Sequence, residues 1–168
     1  GSETTGEPMY PGTYAEQHPE RAAFVMASTG EATSYRDYEA RTNQFAHLLR
    51  AHGLGDLDHY SIFMENNDRY LETCGAGERT GMYYTCINSY LTAEEVAYIV
   101  NNSESQVLVA SRATRNVAAA ALAECPNVTL ALVVDGDPDD ELFSDYASAI
   151  AEYRTTPVDN ERLGTPML

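Results

Sequence analysis

Four short apolar runs, each set off from the next by a stretch of helical pattern, constrain this chain more than any other feature. The runs are Tyr60–Met64, Met82–Ile87, Val107–Ala110 and Val128–Val134. Val107–Ala110 is continuously apolar, as strands covered on both faces are. Between them the spacing predicts helices over about 68–79 and 113–123 and one opening at Thr92-Ala93-Glu94-Glu95, with a further one over 144–153 capped by Ser144. Strands alternating with helices of this length read as βαβ units, so the expectation is an α/β fold with a parallel, doubly wound sheet and flanking helices.

The segment ahead of this alternation reads differently. Pro11–His18 fits a short helix, with Pro19 ending it. Ala22–Ser28, the turn signal Thr29-Gly30 and Glu31–Ser34 fit a leading β-hairpin. Ser34-Tyr35-Arg36-Asp37 resembles a capping box opening a helix that places Tyr38, Phe45, Leu48 and Leu49 on one face and closes at Gly53. Thr92-Ala93-Glu94-Glu95 is a second capping box, ahead of Val96, Ile99 and Val100. Residues 10–153 are expected to form one partial α/β domain. Residues 1–9, beginning with the cloning scar Gly1-Ser2, are expected to be disordered, and 154–168 to be a loop without periodicity.

Charge and composition exclude whole classes of function. With 10 basic and 26 acidic side chains the formal net charge is −16, which argues against nucleic acid and anionic membrane surfaces as partners. Every basic residue is arginine, so no lysine serves as a Schiff-base or phosphate-loop residue. No apolar run approaches the roughly 18 residues of a membrane helix, and no transmembrane segment or signal peptide is expected. The 3 cysteines, Cys74, Cys86 and Cys125, form no CxxC pair. Neither a disulfide nor a lowered thiol pKa is expected, and a cytoplasmic location is.

The local candidates for chemistry are weak. Asp135–Glu141 is dense in carboxylates but has Asp140 and Tyr146 where a calcium loop needs glycine and glutamate, so it reads as a solvated acidic loop. Gly75-Ala76-Gly77-Glu78-Arg79-Thr80-Gly81 misses the dinucleotide fingerprint and ends a helix instead of opening one, and reads as a small-residue packing face with a glycine cap. His18, His47, His52 and His59 show no ligand spacing. Arg112 and Arg115 stand at a helix start without a glycine-rich cradle and read as solvated. Glu65-Asn66-Asn67-Asp68, at the carboxyl end of a strand, is the one position with architectural promise, although Asn67 or Asp68 also fits a helix N-cap. No catalytic, cofactor-binding or metal-binding residue is assigned.

Three stretches together resemble the N-terminal part of AMP-forming acyl-CoA synthetases, in the adenylate-forming (AMP-binding) superfamily that includes fatty-acid–CoA ligases. They are Ala32–Tyr38 running into Asn43–Leu49 and Gly53-Leu54-Gly55; Gly75–Asn88; and Ile87–Ser103, which is the most specific. Gly55-Asp56-Leu57-Asp58-His59 and Thr85-Cys86 depart from the family's usual Pro-Gly-Asp turn and proline. The resemblance implies a parent that activates a carboxylic acid, a fatty acid above all, with ATP and magnesium to an acyl-adenylate and transfers it to coenzyme A. Gly164–Leu168 resembles the lead-in to the family's phosphate-binding loop. The resemblance therefore implies a fragment without cofactors of its own, partnered by the remainder of the parent, inactive alone and prone to self-association through exposed apolar surface. The composition further suggests a bacterial source. The rival reading is a free-standing flavodoxin-like binding or signalling module.

Overall fold

The structure, a computed structural model, describes residues 22–25, 32–159 and 165–167. The helix expected over Pro11–His18 and the turn at Thr29-Gly30 lie outside them. Strands β1 (Ala22–Val25) and β2 (Ala32–Ser34) pair antiparallel, with an irregularity between Ala22 and Phe24, as the leading hairpin requires.

Helix α1 (Tyr35–Ala51) follows directly, and both of its ends are set by sequence. The Ser34 hydroxyl accepts from the Asp37 backbone N–H at 3.1 Å. At the far end Gly53 takes a positive φ of 88°. Its N–H donates to the Arg50 carbonyl while that of Leu54 donates to the Leu49 carbonyl. This pair of bonds is a Schellman motif, which the left-handed glycine makes possible and the buried Leu54 seals.

The main sheet has six strands in the order β7-β6-β5-β3-β4-β8, all parallel. Its strands are β3 (His59–Phe63), β4 (Tyr83–Ile87), β5 (Val107–Ser111), β6 (Leu130–Val134), β7 (Ser144–Asp145) and β8 (Thr165–Met167). The helices between them are α2 (Tyr70–Thr80), α3 (Ala93–Asn102), α4 (Arg115–Leu122) and α5 (Tyr146–Ala151). The four expected strands are present and parallel, with β3 lying between β4 and β5.

Two features differ from the pattern. Ser144 is a strand residue, and it is the Asp145 carboxylate that caps α5, accepting from the Ser148 N–H at 3.0 Å. Within 154–168, Thr165–Met167 pairs with β4. Strands of two or three residues are too short to show a period of two, so periodicity does not reveal them.

Alternate strand residues feed two cores. Tyr60, Ile62, Val107, Val109, Leu132 and Val134 face α1, α2 and α5. Phe63, Leu108, Ala110, Ala131 and Val133 face α3 and α4, with Val96, Ala97, Val100, Ala118 and Ala121 covering them. The capping box of α3 is complete: Thr92 and Glu95 each accept from the other's backbone.

Helix α2 fits its place because of its small residues. A methyl on Gly77 would stand 2.6 Å from Tyr84 Cδ1 and 2.8 Å from the Tyr60 hydroxyl. The Tyr60 O–H reaches the Thr73 carbonyl and accepts from the Gly77 N–H at 2.8 Å. The Gly75-Ala76-Gly77 run is thus a packing face, and Gly81, at φ 77°, is its left-handed cap.

Candidate functional site

The carboxyl edge of the sheet is where an open parallel sheet binds ligands, above all where successive connections run to opposite sides. That point lies at β3, which has β4 on one side and β5 on the other. The tip Glu65-Asn66-Asn67 emerges there.

The tip is tied down by its own side chains. The Ser111 hydroxyl at the end of β5 donates to Glu65 Oε2 at 2.5 Å, bridging the two strands. Asn67 Nδ2 donates to Glu65 Oε1 at 3.3 Å, and Asn67 Oδ1 accepts from the Arg69 N–H at 2.9 Å. The residue at the N-cap of α2 is Arg69, without a side-chain cap bond, so neither Asn67 nor Asp68 is the N-cap. Asn67 acts two residues ahead of the N-cap, as an Asx turn leading into the helix. Beside the tip an open cleft of about 430 Å³ is lined by Met64, Glu65, Asn66, Tyr70, Cys86 and Asn88, among others.

A second hollow on the same edge, of about 570 Å³, lies where β5 and β6 end and includes Arg112, Arg115, Asp137 and Asp140. Both arginines are engaged. Arg115 grips Asp140 in a two-pronged pair at 2.7 and 3.0 Å, and Arg112 Nε donates to the Asp135 carbonyl at 2.8 Å. The pairing with Arg115, aided by N–H bonds from Phe143 and Leu142, holds the Asp140 carboxyl well below the usual range. The acidic loop is therefore a folded turn clamped to α4, and among the described residues no group of three or more His, Cys, Asp or Glu is placed to hold a metal.

Two buried polar clusters escaped sequence reading. Arg79, given no role of its own by the sequence, is almost wholly buried, with Nη2 on Glu39 at 2.5 Å and Nη1 on Asn43 Oδ1 at 2.8 Å. Glu72 is buried against Tyr146, whose hydroxyl donates to Oε2 at 2.7 Å, and its Oε1 faces Arg69 at 3.6 Å. Burial raises the Glu72 pKa to about 7, and Arg69 and the Tyr146 bond offset only part of the effect. Both clusters join α2 to its neighbours and are shut away from the carboxyl-edge clefts.

The histidines are likewise structural. Buried His59 meets the Thr85 hydroxyl at 2.7 Å and stacks on Tyr83, and burial lowers its pKa. His47 meets the Thr156 carbonyl at 2.7 Å and His52 the Leu48 carbonyl at 3.0 Å. His18 lies outside the described residues.

The cysteines require a correction. Cys74 on α2 and Cys86 on β4 lie with their sulfurs 3.9 Å apart. Hydrogen bonds from Cys74 and Tyr70 hold the Cys86 pKa below the ordinary thiol value, while the same contact and burial push Cys74 up. The expectation that no thiol pKa is lowered rested on adjacency in sequence, and the fold overrides it for Cys86.

With fold and edge in view, similarity gives the class. Residues 13–163 match the model of the AMP-binding enzyme family, and the chain belongs to that family. It is 28% identical over 138 residues to a 3-oxocholest-4-en-26-oate–CoA ligase of Rhodococcus rhodochrous, covering 80% of this chain and 24% of that protein. It is 33% identical over 95 residues to a linear gramicidin synthase of Brevibacillus parabrevis, covering 56% of this chain and 2% of that protein. The fold matches a Mycobacterium tuberculosis fatty acyl CoA synthetase with a TM-score of 0.76 at 22% identity, covering 89% of this chain and 29% of that one. The chain thus spans under a third of each of these proteins.

The family uses ATP, whose phosphates call for backbone donors, metal and cationic side chains. Both carboxyl-edge hollows carry carboxylates, the two arginines there are held by Asp140 and the Asp135 carbonyl, and no glycine-rich turn follows a described strand of the main sheet.

Proposed function

We propose that this chain is the scaffold portion of an AMP-forming acid–thiol ligase, whose whole chain activates a carboxylic acid, a fatty acid above all, with ATP and magnesium and passes the acyl group to coenzyme A. The observation that carries the reading is the family match over residues 13–163, supported by the Ile87–Ser103 run. The 168 residues alone are expected to be inactive. Triphosphate chemistry needs backbone donors, metal and cationic side chains aimed at the developing charge. This chain brings a net charge of −16 and no lysine. Its partner would be the remainder of the parent, in a bacterial cytoplasm, and surface normally covered by that remainder would drive the isolated chain to self-associate.

The test is carboxylate-dependent exchange of pyrophosphate into ATP, measured on the longer parent chain and on the 168 residues. Exchange by the parent alone is expected. A parent inert with every carboxylic acid offered would overturn the reading in favour of a binding module. The 33% identity to the linear gramicidin synthase favours one second reading, an acyl-adenylate passed to a carrier-bound thiol. The thiol that the parent acylates, coenzyme A or a phosphopantetheinyl carrier, separates the two.

A further inference from the structure

Two thiols in contact, one exposed and one half-buried, form an arrangement that neither family membership nor the proposed ligase chemistry uses. Cys86 is exposed near the end of β4, past the last β4 residue that β8 pairs, and lines the 430 Å³ cleft. Cys74 sits behind it on α2, half-buried, with the sulfurs 3.9 Å apart. Tyr70, on the same helix, hydrogen-bonds Cys86 and also lines the cleft. Cys125 is buried on the opposite face of the sheet.

We propose that Cys74 and Cys86 are a redox-modifiable dithiol site, in which Cys86 is oxidised by an uncharged hydroperoxide entering the cleft and Cys74 resolves it to a disulfide tying α2 to β4. The geometry suits each step. The cleft admits a small oxidant to Cys86, and the Glu65 carboxylate on its wall disfavours an anionic one. The Cys74 and Tyr70 protons stabilise a Cys86 thiolate, the nucleophilic form. Forming a bond of about 2.05 Å from 3.9 Å asks the sulfurs to close by about 1.9 Å, within reach of side-chain rotation and a small backbone shift.

The chemistry balances with the peroxide as two-electron acceptor. The Cys86 thiolate attacks one peroxide oxygen. The S–O bond forms, the O–O bond breaks, and the leaving alkoxide or hydroxide takes up a proton, giving a sulfenic acid. The Cys74 sulfur then attacks the Cys86 sulfur. The S–S bond forms, the S–O bond breaks, and hydroxide leaves as water with the Cys74 proton. A dithiol reductant restores both thiols.

The test uses the 168-residue protein at pH 7 with one equivalent of hydrogen peroxide, followed by alkylation and peptide mass spectrometry without reduction. The expected product is an intramolecular Cys74–Cys86 cross-link, reversed by dithiothreitol, with Cys125 still free to alkylate. Cys74→Ser should stop at a sulfenic acid on Cys86, trapped by dimedone, and Cys86→Ser should slow peroxide consumption at least tenfold. In guanidinium chloride the preference for this pair over Cys125 should vanish. The proposal is overturned if native Cys86 reacts no faster than a free cysteine peptide, if oxidation falls first on Cys125 or between chains, or if the selectivity survives unfolding. The wild-type cross-link decides the matter even where a variant folds poorly.

Discussion

The two faces of the sheet are built from different materials. Under α3 and α4 lie Phe63, Leu108, Ala110 and Val133, met by valines and alanines of the helices. Under α1, α2 and α5 the apolar residues are joined by buried polar groups: Arg79 with Glu39 and Asn43, Glu72 with Tyr146, and Tyr60 with the α2 backbone. On the first face stability follows mainly the apolar area removed from water, and buried His59 there has a lowered pKa. On the second it follows whether each buried polar group keeps its partner, and part of it titrates.

The largest effect should come from the polar face. Arg79→Ala leaves Glu39 and Asn43 facing a void and should cost about 3–5 kcal/mol in chemical denaturation, whereas an Arg79→Met, Glu39→Leu double variant should regain most of it. Equal damage from the double variant would mean that the ion pair is not the reason Arg79 is buried.

Leu108→Ala on the apolar face should cost about 2–5 kcal/mol, a cavity loss that is the same at pH 5 and pH 8. A loss that changes with pH would break the contrast.

Glu72 sharpens it. Its native carboxyl keeps a proton up to about pH 7, whereas the unfolded one releases it near 4.5. The folded chain therefore binds more protons between those values, and stability falls as pH rises through that window, by roughly 3 kcal/mol for a shift of 7 − 4.5 = 2.5 units. Below pH 4.5 the penalty is absent. Glu72→Gln should flatten the slope and leave the chain more stable at pH 7. An unchanged slope would place the titrating group elsewhere.

The smallest effect is local to the other side. Thr92→Ala removes the N-cap acceptor of α3 and should lower stability by about 1 kcal/mol.

The same division explains what could be read in the sequence. Strands β3 to β6, the Ser34 and Thr92 caps and the close of α1 at Gly53 are dictated within a few residues of chain, so local pattern reveals them. The apolar face follows from strand alternation. Arg79 and Glu72 sit on α2 where an arginine and a glutamate read as solvent-facing, and only the crossing of α1 and α5 buries them. Cys74 and Cys86 meet only once α2 folds back along β4. At the carboxyl edge the Glu65–Asn67 tip was visible as a place, but its partner Ser111 is 46 residues away from Glu65. No local signal joins the two.

Both faces and the edge describe a scaffold whose buried polar groups hold helices together and whose described clefts are lined with carboxylates. The central claim is that nucleotide chemistry is supplied outside these residues. Calorimetric titration of magnesium–ATP into the folded 168-residue protein tests it most directly. The account predicts no saturable heat at micromolar nucleotide; a micromolar Kd would contradict it and place the nucleotide site within this chain.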